Sequence, residues 1–144
     1  MPRSNYEVSL EAMKLDGSDF FCGLTFPVGK SACTFIVGGW GGMVVGLSTV
    51  DGADASENET SAGMEFKKDR WYRIRLRVTE GRLEGWIDNE KLINVLTKDR
   101  KISLRAGEID LSTPIGIACW QCTTALRELK YRKVDQPDGP PKKY

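Results

Sequence analysis

Three observations predict an all-β, antiparallel fold, a sandwich or a barrel. Apolar residues recur with a period of two along nearly the whole 144-residue chain. About ten such runs are separated by turn signals rich in Gly, Asn and Asp. No segment of useful length carries the stripe of an amphipathic helix, and residues 125–132 are the ambiguous stretch.

The elements follow in order. Residues 6–15 alternate, with Val8, Leu10 and Ala12 on one face and Glu7, Ser9 and Glu11 on the other. Asp16-Gly17-Ser18 reads as a turn. Residues 20–28 and 33–37 form two strands joined through Gly29-Lys30-Ser31, and residues 43–50 form a third. Residues 51–63 read as a polar loop. Residues 70–79 are the cleanest strand, with Ile74, Leu76 and Val78 opposed by Arg73, Arg75 and Arg77. A turn at Glu80-Gly81 sets Arg77 against Glu84, Arg75 against Trp86 and Arg73 against Asp88. The same register sets Val78 against Leu83 and Ile74 against Ile87, so both faces agree. Strands at residues 91–96, 102–105, 114–120 and 125–134 complete the set.

The chain is long enough for one domain with a real core, expected over residues 1–134, followed by a flexible Pro- and Lys-rich tail at 135–144. A net charge of +1 argues against a nucleic-acid partner. No apolar run is long enough to span a membrane, and no signal-peptide core stands at the start. A cytoplasmic chain is expected as the sequence stands, or a secreted or periplasmic one if a signal segment precedes it. The absence of histidine removes triads that need it, leaving carboxylates, Tyr, Lys, Cys or a metal for any catalysis. Cys22, Cys33, Cys119 and Cys122 lack the two close pairs of a four-cysteine zinc site and read as buried thiols, with disulfides as the alternative.

Residues 19–60 carry most of the functional information. Gly38-Gly39-Trp40-Gly41-Gly42 surrounds one large ring with residues that supply no packing. Either Trp40 is a sugar-binding face in cleared space, or the glycines make a bulge and Trp40 packs inward. Trp86, beside Arg75, is a second aromatic platform or a braced solvent face. Trp71 and Trp120 are expected in the core. Asp51, Asp54 and Glu57 form an acid-rich loop that could hold calcium, although the spacing does not match a calcium-loop pattern and no cofactor is the base expectation. Asn58-Glu59-Thr60 is a formal glycosylation sequon. Glu108 and Asp110 share a strand face, but without a third acid at Ser112 or Thr113 they read as a solvated edge.

The run YEVSLEAMKLDGSDFFCGLTFPV, the GGWGG strand, ENET, WYRIRLRVTEGRLEGWIDNEKL and PIGIACW with ALRELKYR together resemble the 3-keto-disaccharide hydrolase domain of the concanavalin A-like lectin and glucanase superfamily, over residues 6–134. The resemblance implies a two-sheet jelly roll whose ligands lie across one concave face and its bordering loops, and a carbohydrate as partner. It also implies chemistry on 3-keto-glycosides, in which a base removes the proton made acidic by the ketone and the glycosidic oxygen leaves. Asp19 and Glu59 are the candidate bases. Trp40, Trp86, Arg75 and Asn58 are the candidate ligand-binding set. The competing expectation is a non-catalytic module that binds a protein, self-assembles as a homo-oligomer or is fused to a larger protein.

Overall fold

The computed structural model describes residues 4–104 and 115–134. Its strands are β1 (Tyr6–Gly17), β2 (Cys22–Val28), β3 (Ser31–Gly39), β4 (Val44–Ser48), β5 (Ala62–Gly63), β6 (Trp71–Thr79), β7 (Arg82–Ile87), β8 (Glu90–Leu96), β9 (Gly116–Ala118) and β10 (Cys122–Lys133). There is no helix among the described residues, and 125–132 lies within a strand. The tail at 135–144 and the Glu108/Asp110 segment lie outside the described residues.

The strands form two five-stranded antiparallel sheets, β10-β1-β6-β7-β8 and β5-β4-β3-β2-β9. This is the jelly-roll sandwich the sequence leads one to expect. Alternation decides what lies between the sheets. Leu10, Ile74, Leu76, Leu83 and Ile87 from the first meet Leu24, Phe26, Phe35, Val37 and Leu47 from the second, all essentially fully buried. Phe21, Phe66 and Tyr72 cluster at one margin of this core with ring centroids 5.0–5.9 Å apart, Phe66 edge-on to both of the others. Tyr6 reaches across it to donate from its hydroxyl to the Pro27 carbonyl at 2.5 Å.

The β6–β7 hairpin has the register read from charge and hydrophobicity: Arg77 faces Glu84, Arg75 faces Trp86, Val78 faces Leu83 and Ile74 faces Ile87. Beyond the ladder, the Arg73 amide donates to Asp88 Oδ1 at 3.0 Å and the Asp88 amide donates to the Arg73 carbonyl at 2.7 Å.

Four expectations need correction. Residues 51–63 are not merely a polar loop: they fold back over β4, burying Ala55 and Thr60, before pairing as β5. The cause is Gly46, where a Cβ would stand 3.0 Å from the Ala55 oxygen and 3.1 Å from Thr60 Oγ1. Of the strand expected at 102–105, the described residues 102–104 carry only an isolated bridge, Ile102 to Val50, and Arg105 lies outside the described residues. Trp120 is not core, because β9 ends at Ala118 and the ring stands in the turn that follows. Trp71 is only half-buried, on the outer face, where the Arg127 guanidinium lies 3.8 Å from its ring centroid. The buried-thiol reading holds for Cys22 and Cys33, whereas Cys119 is exposed and Cys122 partly so; all four are free.

Candidate functional site

Three chain segments converge at one end of the sandwich: residues 14–21, the β3–β4 turn and the turn between β9 and β10. The Ser18 amide donates to the Gln121 carbonyl at 3.2 Å, and the Trp120 amide donates to the Phe20 carbonyl at 3.1 Å. Phe20 Cβ is 3.9 Å from where a Gly39 Cβ would stand, and a Cβ on Gly42 would lie 3.6 Å from the Ser18 oxygen and 3.9 Å from Lys14 Nζ. These are ordinary contact distances, so the segments are in close register; the crowded position is Gly39, where a Cβ would stand 2.7 Å from Ile36 Cγ2.

Trp40 stands in that cluster, on neither face of a strand. The β3 ladder shifts register after Val37, and the Gly42 amide then closes a turn on the Gly39 carbonyl at 3.1 Å. The two central residues of that turn, Trp40 and Gly41, have φ of 47° and 87°. Positive φ at both positions is the signature of the primed hairpin turns, whose twist matches that of the strands. Trp40 is therefore held at a left-handed position, with 37% of its surface exposed. Neither earlier alternative describes it fully: the glycines do make a bend, and the tryptophan in it is neither fully buried nor fully exposed.

Trp120 stands in the neighbouring turn and is 52% exposed, supported by a second left-handed residue, Gln121, with φ of 49°. Met43 and Leu15 add exposed apolar surface at the same end. Asp19 supplies a carboxylate. Its Oδ1 accepts from the Phe20 amide at 2.8 Å, and its second oxygen has no partner among the described residues. This end thus combines two indole rings from different turns with a carboxylate and, on Lys14, an ammonium. Trp120 escaped sequence reading because its exposure depends on where β9 stops, and alternation alone carries the strand pattern on to Trp120.

The other candidates lie elsewhere. Glu59 is at the opposite end, ion-paired with Arg100, which also binds Asp51 at 2.5 Å. Asp19 and Glu59 therefore do not form one site. Asn58 has no free valence for a ligand. Its Nδ2 donates to the Leu47 and Ala53 carbonyls at 2.7 and 3.0 Å, and its Oδ1 accepts from the Thr60 amide and hydroxyl at 2.9 and 2.5 Å. Its role is to fasten the loop to β4. Trp86 lies on the outer face of the first sheet, as expected, but only 7% of it is exposed. Arg75, Arg77 and Lys91 stand 4.1, 5.2 and 5.2 Å from its ring centroid, so the protein's own cations occupy the platform.

The acidic loop is likewise engaged internally. The Lys101 amide, then the Arg100 side chain, hold the Asp51 carboxyl below its ordinary range. Asp54 Oδ1 accepts from the Ser56 amide at 2.9 Å and from its hydroxyl at 2.5 Å, and Glu57 is exposed. Among the described residues no three His, Cys, Asp or Glu side chains are grouped so as to hold a metal ion.

A two-sheet jelly roll with aromatic rings on the loops at one end defines the class, a concanavalin A-like sandwich. The chain belongs to the 3-keto-alpha-glucoside-1,2-lyase-like domain family, whose model matches residues 1–135. Among solved structures it is similar to the carbohydrate-binding module CBM66 from Bacillus subtilis, at 11% identity and a TM-score of 0.59, over 90% of this chain and 76% of that one. That likeness shows the fold. A provisionally assigned glycosyl hydrolase from Parabacteroides distasonis ATCC 8503 is similar at 13% identity and a TM-score of 0.49, over 91% of this chain and 72% of that one. No curated protein matches. No described helix is long and apolar enough to cross a membrane.

Proposed function

We propose that this chain is a carbohydrate-binding domain that takes a saccharide at the loop end, against Trp40 and Trp120. The observation that carries the reading is the backbone of Trp40. A left-handed position among four glycines favours a fifth, yet a tryptophan stands there with 37% of its surface exposed. A large aromatic side chain kept at conformational cost and left more than a third exposed is supported by a ligand better than by stability alone. The apolar C–H faces of a pyranose pack on a flat indole. Lys14, whose Nζ lies 3.9 Å from where a Gly42 Cβ would stand, would donate to hydroxyl groups, and Asp19, on the segment that meets this turn, would accept. Membership of the family supports a saccharide as the ligand class, and a 3-keto-glucoside is the member of that class to test first.

If such a sugar is turned over, Asp19 is the base within reach. Its free oxygen takes the proton from the carbon beside the ketone. The C–H electrons become a carbon–carbon double bond, and the glycosidic oxygen leaves with its electron pair and acquires a proton from solvent. Lys14 would stabilise the enolate. Binding without turnover is the second reading, and the distance of Glu59 from this end favours it.

A glycan array with a parallel turnover assay on 3-keto-glucosides separates the possibilities. Binding with elimination that Asp19→Asn abolishes supports the catalytic reading; binding that survives in Asp19→Asn without turnover in either protein supports the module. No binding by the folded protein would sink both.

A further inference from the structure

The outer face of the first sheet is a lattice of cross-strand rows. One runs Arg132–Glu7–Arg77–Glu84, the next Lys130–Ser9–Arg75–Trp86, and the third Arg127–Glu11–Arg73. In the outer two rows an acid stands between cations. Glu7 accepts from Arg77 at 3.0 Å and from Arg132 at 2.9 Å, and Glu11 accepts from Arg127 at 2.7 Å. The middle row has no acid, and its smallest member is Ser9.

A groove of about 410 Å³ opens over Ser9, walled by Arg73, Arg127 and Lys130, with Glu11 and Glu128 among them. Glu11 is taken by Arg127, and Glu128 lies 3.5 Å from Lys130. Two donors remain. Neither the Arg73 guanidinium nor the Ser9 hydroxyl has a partner among the described residues. They are adjacent, because Glu11, directly opposite Arg73, is two residues along β1 from Ser9.

We propose that this groove binds a small oxyanion. The planar fork of Arg73 fits a carboxylate or phosphate edge-on, Ser9 donates its O–H from the floor, and Lys130 adds charge. A neutral hydroxyl group would gain less here, because a hydrogen bond between two charged groups is about twice as strong as one to a neutral partner. The oxyanion is carried either by an acidic sugar, as a carboxylate, or by a phosphate group. The site is separate from Trp40 and Trp120 and does not rest on the reading of that end.

Calorimetric titration of the full chain at low salt with glucuronate, glucose and inorganic phosphate tests it, with chemical shifts followed at Ser9 and Arg73. Glucuronate, phosphate or both should bind and move those signals, and glucose should not. Binding of glucuronate alone identifies a carboxylate ligand, and binding of phosphate alone a phosphate ligand. Arg73→Gln should weaken binding roughly tenfold, as loss of one charge-assisted hydrogen bond does. Ser9→Ala should weaken it less, and Lys30→Gln, on a remote hairpin tip, should leave it unchanged. Rising salt should weaken it further. Absence of binding by both anions, equal binding of glucose, or an Arg73→Gln protein that melts normally and binds normally would each overturn the proposal. So would a loss in Lys30→Gln matching that in Arg73→Gln.

Discussion

Asn58 commits both amide hydrogens and both oxygen lone pairs to Leu47, Ala53 and Thr60. Replacing it with alanine orphans two carbonyls and loosens the loop that covers Gly46. Asn58→Ala is expected to lower unfolding free energy by about 2 kcal/mol, as loss of partly buried hydrogen bonds does. Saccharide affinity should remain within about twofold, roughly 0.4 kcal/mol, because Asn58 is bound to Leu47, Ala53 and Thr60 and not to the Trp40 turn. Denaturant titration and a binding isotherm on the same preparation check both halves. The cysteines divide in the same way. Burial pushes Cys22 and Cys33 up to about 12, and burial, more than any neighbour, raises Cys122. The thiolate is the nucleophile, so alkylation of the native protein in mildly alkaline buffer should modify exposed Cys119 first and leave Cys22 and Cys33 untouched. Mass-spectrometric footprinting reads this directly.

At the scale of elements, β1, β6 and β10 are pinned by Glu7. Burial alone would raise its carboxyl, but hydrogen bonds and charge from Arg132 and Arg77 outweigh burial and hold it below its ordinary value of 4.5. A carboxyl depressed in the folded state favours folding above the unfolded value, and that contribution is lost as pH falls through the lower, folded value. Stability should therefore drop on acidification below about pH 4.5. Glu7→Ala removes the buried carboxylate that Arg77, only 12% exposed, shares with Arg132. It should cost about 3 kcal/mol at neutral pH and flatten the acid limb of the stability curve. A variant as stable as the wild type at pH 7 would contradict the account of these three strands.

The β6–β7 hairpin was legible in the sequence because opposite charges on one face and branched apolar residues on the other agree under a single register. The glycine cluster was legible as a place of close approach, since each glycine is adjacent in sequence to the turn it serves. Asn58, Trp120 and the gap between Asp19 and Glu59 were not legible. Each depends on contacts between segments far apart in the chain, and alternation reports only which face of a strand a residue occupies. Trp86 lies between the two cases: its face was evident, but the three cations over its ring arrive from β6 and β8.

For the whole molecule, the two sheets share one core, so they are expected to unfold in one cooperative transition. Far-UV signal and exposure of Cys22 and Cys33 to alkylation should follow the same melting curve, and separate transitions would show that the sheets are independent units. The central claim concerns Trp40, held at a left-handed position for a ligand and not for stability. Trp40→Gly isolates it, because glycine adopts that backbone freely and removes a penalty of roughly 1 kcal/mol. The account predicts a melting temperature equal to or above that of the wild type, with saccharide affinity reduced about tenfold, as loss of an aromatic platform of about 1.4 kcal/mol gives. A destabilised protein that binds its saccharide as before would contradict it.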